Sequence, residues 1–145
     1  MGKVRFISII ITMSILIGIL SSCIYKSYYG KRPCDQIGST WSSVDGSITF
    51  VVNENGSCNG KMLVDGEYID IHLGIGPSVE IAIYHALTEE SEVFGLPIEE
   101  WIGDFDSADS FVATIMRSTY YHEGDTIAFV RTSEGEMRER PSLFD

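Results

Sequence analysis

Short apolar or alternating runs, separated by turn residues, fill the middle of the chain from about residue 40 to 132. In one of them (67–73), every second residue from Ile69 onward is apolar, which is the period of a half-buried strand. The Asp65-Gly66 pair before it is typical of a tight hairpin turn. The runs of this character are 47–52, 61–64, 67–73, 79–84, 111–116 and 126–132, and less clear candidates lie at 93–96 and near Trp101. Their spacing predicts an antiparallel meander of about seven or eight strands.

Such a meander has two edge strands, whose unpaired backbone groups need to be hidden. Closing the sheet on itself removes both edges, and the sequence has no long helical period that could cover a sheet face instead. We therefore expect an all-β fold, a small antiparallel meander that closes into a β-barrel or a strongly curled sheet. Two interpretations stay open for residues 97–103: Pro97 and Gly103 are typical of a short helix, while a strand near Trp101 fits nearly as well.

The N-terminal segment has the pattern of an export signal. Lys3 and Arg5 precede an uncharged apolar stretch (6–20) that ends in LSSC at Cys23. These last four residues resemble the lipobox of bacterial lipoproteins. The resemblance implies a signal peptide over 1–22, cleavage before Cys23, and a diacylglycerol on the Cys23 sulfur. The chain would then be lipid-anchored on the extracytoplasmic face of the cell membrane.

Two other interpretations of this segment remain. The uncharged stretch 6–25 has about the 20 residues that an uncleaved membrane anchor needs, and an ordinary cleaved secretion signal is the other alternative. All three interpretations place the rest of the chain outside the cytoplasm.

The charge of the chain is strongly acidic. The 145 residues include 10 Lys plus Arg and 21 Asp plus Glu, a net charge of −11. Because Lys3 and Arg5 precede Cys23, the part after it keeps 8 basic and 21 acidic residues, a net charge of −13. Such a surface repels phosphate, so we expect no nucleic-acid partner. It attracts cations and basic proteins instead.

These patterns divide the chain into four parts. The segment before the strands contains Gly, Pro and polar residues, as tethers do, and the C-terminal segment has no apolar period. The predicted parts are a signal peptide (1–22), a tether (23–39), a barrel-like domain (40–132) and a flexible tail (133–145).

Lipidation of Cys23 leaves two further cysteines. Outside the cytoplasm a remaining pair of cysteines can form a disulfide. Cys34 and Cys58 are therefore a candidate disulfide, and two isolated thiols are the alternative.

The two ends of the strand region resemble the closed end of lipocalin-like barrels. Gly38-Ser39-Thr40-Trp41 precedes the first strand, and Arg131 lies in the last run. In that family a Trp near the start packs under the barrel and an Arg from the final strand lies over it. The resemblance implies that Trp41 and Arg131 close the barrel through a cation–π contact. The chain departs from the family pattern in one respect, since two residues separate Gly38 from Trp41.

Side chains that could support catalysis or bind a metal are scattered along the sequence. The acidic stretch 104–109 lacks the Gly and the distal Glu of an EF-hand loop, and His72, His85 and His122 form no zinc-binding pattern. No GxSxG motif or Gly-rich phosphate loop is present. We therefore expect no enzymatic activity, no metal and no cofactor.

Two classes of function remain. The first is a binding or interaction module at the cell surface that holds a small apolar ligand or a basic protein. The second is an acidic structural protein of the envelope, or an inhibitor of a basic enzyme such as lysozyme. The interior volume separates them, and a filled barrel is favoured by bulky residues predicted to face inward: Phe50, Ile69, Ile71, Ile81, Ile83, Phe111, Ile115, Ile127 and Phe129.

Overall fold

A computed structural model describes residues 28, 30–76, 79–86 and 96–139, most of which lie in strands. A short 3₁₀ turn, Pro33–Asp35, precedes the first strand. The strands are β1 (Gln36–Ile37), β2 (Thr40–Ser43), β3 (Ile48–Val52), β4 (Cys58–Val64), β5 (Glu67–Ile75), β6 (Glu80–His85), β7 (Glu99–Asp104), β8 (Ser110–Ser118), β9 (Thr126–Ser133) and β10 (Glu136–Met137). The predicted signal peptide and Cys23 lie outside the described residues. Within the described ranges, no helix has the length and apolar character needed to cross a bilayer.

Strands β2 to β9 form a closed barrel in which each strand pairs with its sequence neighbour in antiparallel orientation. The last strand, β9, pairs with the first, β2, so that Trp41 lies opposite Arg131 and Ser43 opposite Phe129. The register shifts between Thr40 and Trp41, where the pairing contains a β-bulge or irregularity. The predicted all-β antiparallel meander is confirmed, and its sheet is closed rather than merely curled.

The Asp65-Gly66 turn connects β4 to β5, as the sequence predicts. Asp65 has a φ of 49° and Gly66 a φ of 83°, the two left-handed conformations that a type I′ hairpin turn requires. Asp tolerates this region better than most residues, and Gly has no Cβ to oppose it. The turn sets the register of β4 on β5, from Val64 opposite Glu67 onward.

Residues 99–104 form a strand, which settles the alternative that the sequence leaves open for 97–103. In β7, Glu99, Trp101 and Gly103 face the interior, while Glu100 and Ile102 face outward. This period of two is the strand pattern. It is hard to see in the sequence because an acidic residue occupies the first inward position.

The barrel interior is filled with large side chains. Phe111 and Phe129 stack with their ring centroids 4.7 Å apart, and Trp41 packs on Phe50 and Phe111. Trp101 also contacts Phe129, with ring centroids 6.1 Å apart. Most of the residues predicted to face inward are buried, and Ile69 and Ile127 are partly buried against the same core. The part of the interior that the structure describes is thus occupied by the protein's own side chains.

Parts of the segments expected as tether and tail are ordered. Within 23–39, the 3₁₀ turn and β1 are folded, and within 133–145, β10 pairs with β1 as a two-stranded ribbon beside the barrel. The Asp35 carbonyl accepts a hydrogen bond from the backbone N–H of Arg138 at 2.8 Å. The folded unit therefore extends beyond the predicted limits of 40 and 132 on both sides.

Candidate functional site

One end of the barrel, which we call the Arg131 end, is organised around a buried glutamine. Gln36 is 2% exposed, and its Oε1 accepts a hydrogen bond from Arg131 Nη1 at 2.7 Å. The Gln36 amide nitrogen donates to the Ala108 carbonyl at 2.9 Å. Arg131 Nη2 pairs with Asp109 at 2.5 Å and lies 3.7 Å from a Glu134 oxygen. The guanidinium therefore joins β9 to β1 and to the loop after β7.

Trp41 lies opposite Arg131 where β2 pairs with β9, and the cation–π contact between the two side chains stays a prediction. The indole N–H of Trp41 donates to Ser39 Oγ at 2.9 Å, and Ser39 Oγ donates to the Gln36 carbonyl at 2.6 Å. Ring contacts of Trp41 among the described residues are with phenylalanines. The Arg131 guanidinium is held by the neutral Gln36 amide and by the Asp109 carboxylate, and the bond to the carboxylate is the charge-assisted one.

The opposite end of the barrel, the Glu99 end, holds a buried carboxylate. Glu99 is 0% exposed. Its Oε2 accepts a hydrogen bond from Trp101 Nε1 at 3.0 Å. Its Oε1 accepts from Ser118 Oγ at 2.8 Å and from the backbone N–H groups of Thr119 and Tyr120, both at 3.2 Å. No described basic side chain forms an ion pair with it. With both oxygens occupied by donors, this carboxylate is suited to holding the turn after β8 rather than to proton transfer.

The two cysteines of the candidate disulfide are free thiols in the structure, and both are buried. Burial, aided by the nearby Asp35 carboxylate, raises the pKa of Cys34 to about 11. Burial also raises the pKa of Cys58, with a smaller contribution from Cys34. Thiols of this kind are poor nucleophiles. The bridge stays a prediction, which a thiol count on the exported chain would decide.

The other residues considered for chemistry do not converge on one site. Within the ranges that the structure describes, no group of three or more His, Cys, Asp or Glu is arranged to hold a metal ion. His72 bonds Asn59 at 2.9 Å, and partial burial lowers its pKa. His85 and His122 are exposed. Asp109 is engaged by Arg131.

The outer surface is dominated by carboxylates. Two of the exposed cations are paired on it, Lys61 with Asp70 at 3.0 Å and Arg117 with Glu100 at 2.6 Å. Exposed acidic residues occur on most loops and on several strands: Asp45, Glu54, Asp65, Glu67, Asp70, Glu80, Asp104, Asp106, Asp109, Glu123, Asp125, Glu134, Glu136 and Glu139. This surplus gives the folded domain a negative potential that acts beyond direct contact.

An open depression at the Arg131 end concentrates some of this charge. Its volume is about 680 Å³. Glu54, Glu134 and Glu136 line it, together with Ile37 and Val52. We call it the acidic depression. Sequence reasoning missed it because its glutamates come from segments that are remote in sequence and were assigned to a turn and a tail.

Comparison with known proteins finds no matching family model, no matching curated protein and no matching solved structure. The functional interpretation therefore depends on the fold and the surface chemistry of this chain.

Proposed function

We propose that this chain is a lipid-anchored extracytoplasmic protein that acts, without enzymatic activity, as an interaction module for a basic protein. The observation that carries the proposal is the combination of a filled interior with a strongly acidic exterior. A carrier of small apolar molecules needs an apolar cavity, and here aromatic and branched side chains occupy the centre of the barrel. Binding is then a property of the outer surface.

The charge of that surface favours a cationic partner. The chain after Cys23 carries −13, and most of its exposed ionisable groups are carboxylates. A surface of one sign raises the association rate of a partner of the opposite sign and repels partners of its own sign. The acidic depression has a volume of about 680 Å³, larger than a Lys or Arg side chain, and three glutamates are among the residues that line it.

The proposed anchor keeps the module near the membrane. About ten residues separate Cys23 from the 3₁₀ turn at Pro33, and ten extended residues reach at most about 35 Å. A partner would therefore bind the module close to the membrane surface.

A titration with basic proteins tests this proposal. The lipidated chain in detergent is titrated with lysozyme and with an acidic protein of similar size as the control, at low and at physiological salt. We expect saturable binding of a basic protein that weakens as salt rises, and no binding of the acidic one. Salt-independent binding, or none to any member of a panel of basic proteins, would contradict the proposal.

Two sets of charge-neutral variants locate the contact. Glu54→Gln, Glu134→Gln and Glu136→Gln together remove three charges from the acidic depression. Glu67→Gln, Asp104→Asn and Glu123→Gln remove three exposed charges elsewhere and are the matched control. A larger loss of affinity from the first set places the partner at the depression. Loss of lysozyme activity in the same titration would identify the narrower alternative, an inhibitor of a basic enzyme.

A further inference from the structure

The chain contains the dipeptide Asn-Gly twice, at Asn55-Gly56 and at Asn59-Gly60. Because Gly has no Cβ to shield its backbone nitrogen, that nitrogen can attack the side-chain amide of the preceding Asn. The two dipeptides have the same chemistry in an unfolded chain. In the folded chain they lie in different surroundings, and the difference selects one of them.

Asn55-Gly56 lies in the turn between β3 and β4. The Gly56 N–H donates to the Asn53 carbonyl at 2.9 Å, so this one-turn bond opens before the nitrogen can react. The Asn55 side chain is exposed, and its Oδ1 accepts hydrogen bonds from the Ser57 backbone N–H at 3.0 Å and the Ser57 hydroxyl at 2.6 Å. These bonds fold the side chain forward along the backbone. Two donors on Oδ1 also make the Asn55 Cγ more electrophilic.

Asn59-Gly60 lies inside β4, which is paired on both sides. Asn59 is opposite Val51 on β3 and opposite His72 on β5, and its Oδ1 bonds the His72 ring at 2.9 Å. A Cβ at Gly60 would overlap the backbone oxygen of Thr49, so β3 lies directly against this glycine. Attack by the Gly60 nitrogen requires the backbone at Asn59 to rotate, which would break the ladder on both sides. Opening such paired strands costs far more than opening a turn.

Arg138 lies beside the peptide group that joins Asn55 to Gly56. Its Nη1 is 3.5 Å from the Asn55 carbonyl oxygen, and a Cβ built on Gly56 would lie 2.8 Å from the same nitrogen. When the Gly56 N–H loses its proton, the negative charge is shared with the Asn55 carbonyl oxygen. A cation at this place favours the deprotonated, nucleophilic form and stabilises the charge during attack.

We infer that Asn55 is a deamidation site and that Arg138 promotes the reaction there. The deprotonated Gly56 nitrogen forms a bond to Asn55 Cγ, and the bond from Cγ to Nδ2 breaks, which leaves a cyclic succinimide. Solvent takes the proton from the Gly56 N–H and returns one to Nδ2, which leaves as ammonia. Water then adds to either carbonyl carbon of the ring and gives aspartate or isoaspartate. The net reaction consumes one water and releases one ammonia.

The reaction adds a carboxylate next to Glu54, which lines the acidic depression. A further negative charge at this place would strengthen the attraction of a basic partner. That consequence rests on the proposed function, whereas the reaction itself does not.

Peptide mapping by mass spectrometry tests the inference on the full chain. Aspartate and isoaspartate at positions 55 and 59 are followed over time in mildly alkaline buffer, for the folded chain and for the chain in urea. We expect conversion at position 55 to be at least about tenfold faster than at position 59 in the folded chain, and the two rates to be similar in urea. Equal rates in the folded chain, or conversion at position 55 in urea alone, would overturn the inference. The measurement needs no partner, so its result is independent of the proposed function.

Variants of Arg138 test its part in the reaction. Arg138→Gln should slow conversion at position 55 of the folded chain about threefold and leave the rate in urea unchanged, while Arg138→Lys keeps the charge and should preserve most of the rate. Lys61→Gln is the matched control, because it removes an exposed cation that is paired with Asp70. An unchanged rate in Arg138→Gln, or the same slowing in Lys61→Gln, would overturn the role of Arg138.

Discussion

Glu99 accepts a hydrogen bond from the indole N–H of Trp101, two residues further along the same strand, at 3.0 Å. Both side chains are buried on the inner side of β7. Ser118 and two backbone N–H groups bind the other carboxylate oxygen. A buried acid is tolerated at this position because N–H and O–H donors surround it in place of water.

Replacing Glu99 with Gln should destabilise the barrel. The Gln amide group would turn an N–H donor toward donors that now point at an oxygen, and a buried donor without an acceptor costs about 1–3 kcal/mol. Glu100→Gln is the matched control, since its neighbouring carboxylate faces solvent and pairs with exposed Arg117. Urea midpoints should fall clearly for Glu99→Gln and little for Glu100→Gln. Equal losses would contradict the structural role of Glu99.

Gln36 and Arg131 should be energetically coupled. Their hydrogen bond is 2.7 Å long, and Gln36→Ala would remove an acceptor from a partly buried guanidinium. We expect a coupling of about 1–2 kcal/mol in a double-mutant cycle with Arg131→Met. A parallel cycle of Trp41→Phe with Arg131→Met should show less, because Trp41 bonds Ser39 instead. The reverse order would favour the cation–π arrangement of lipocalin-like barrels.

Gly103 should not tolerate a side chain. The ring of Phe105 lies directly over Gly103, where a Cβ would clash with three ring atoms. Gly103→Ala should therefore cost about 1–3 kcal/mol through overpacking. Gly74→Ala is the control, since a Cβ there meets nothing within 4 Å. A lower melting temperature for the Gly74 variant than for the Gly103 variant would argue against the described packing of Phe105.

The reduced thiols should react slowly in the native chain. With a pKa of about 11 for Cys34, about one molecule in a thousand carries the thiolate at pH 8. Alkylation should be slow at pH 8, should accelerate about tenfold per pH unit where the fold persists, and should be complete after denaturation. Rapid labelling of the folded, reduced chain at pH 8 would show that one cysteine is accessible.

The sequence was sufficient to predict the strands in which apolar and polar residues alternate within a short run. The run at 67–73 and the Asp65-Gly66 turn predicted β5 and its hairpin, and the absence of a helical period predicted closure of the sheet. The strand β7 stayed ambiguous because Glu99, an acidic residue, faces the core. Apart from Trp101, its hydrogen-bond partners come from the end of β8 and the turn after it, about twenty residues away, and no local pattern indicates them.

The candidate site was less predictable because its contacts, too, join segments that are distant in sequence. From their places at the start and the end of the strand region, Trp41 and Arg131 could be predicted to meet, and the structure pairs them on β2 and β9. The partner of the guanidinium could not be predicted, because Gln36 lies in a polar segment with the composition of a tether. The short ribbon of β1 and β10 joins segments about 100 residues apart and has too few residues for a periodic signal.

Native mass spectrometry of the full chain, purified from the membranes of a host that processes lipoproteins, tests the central claim most directly. That claim is a lipid-anchored barrel that is filled by its own side chains and binds through its exterior. The predicted result is the mass of residues 23–145 plus a diacylglycerol at Cys23, with no small apolar molecule retained and with basic protein bound at low salt. A stoichiometric apolar ligand that survives transfer to the gas phase would contradict the claim, since such a molecule needs an interior cavity.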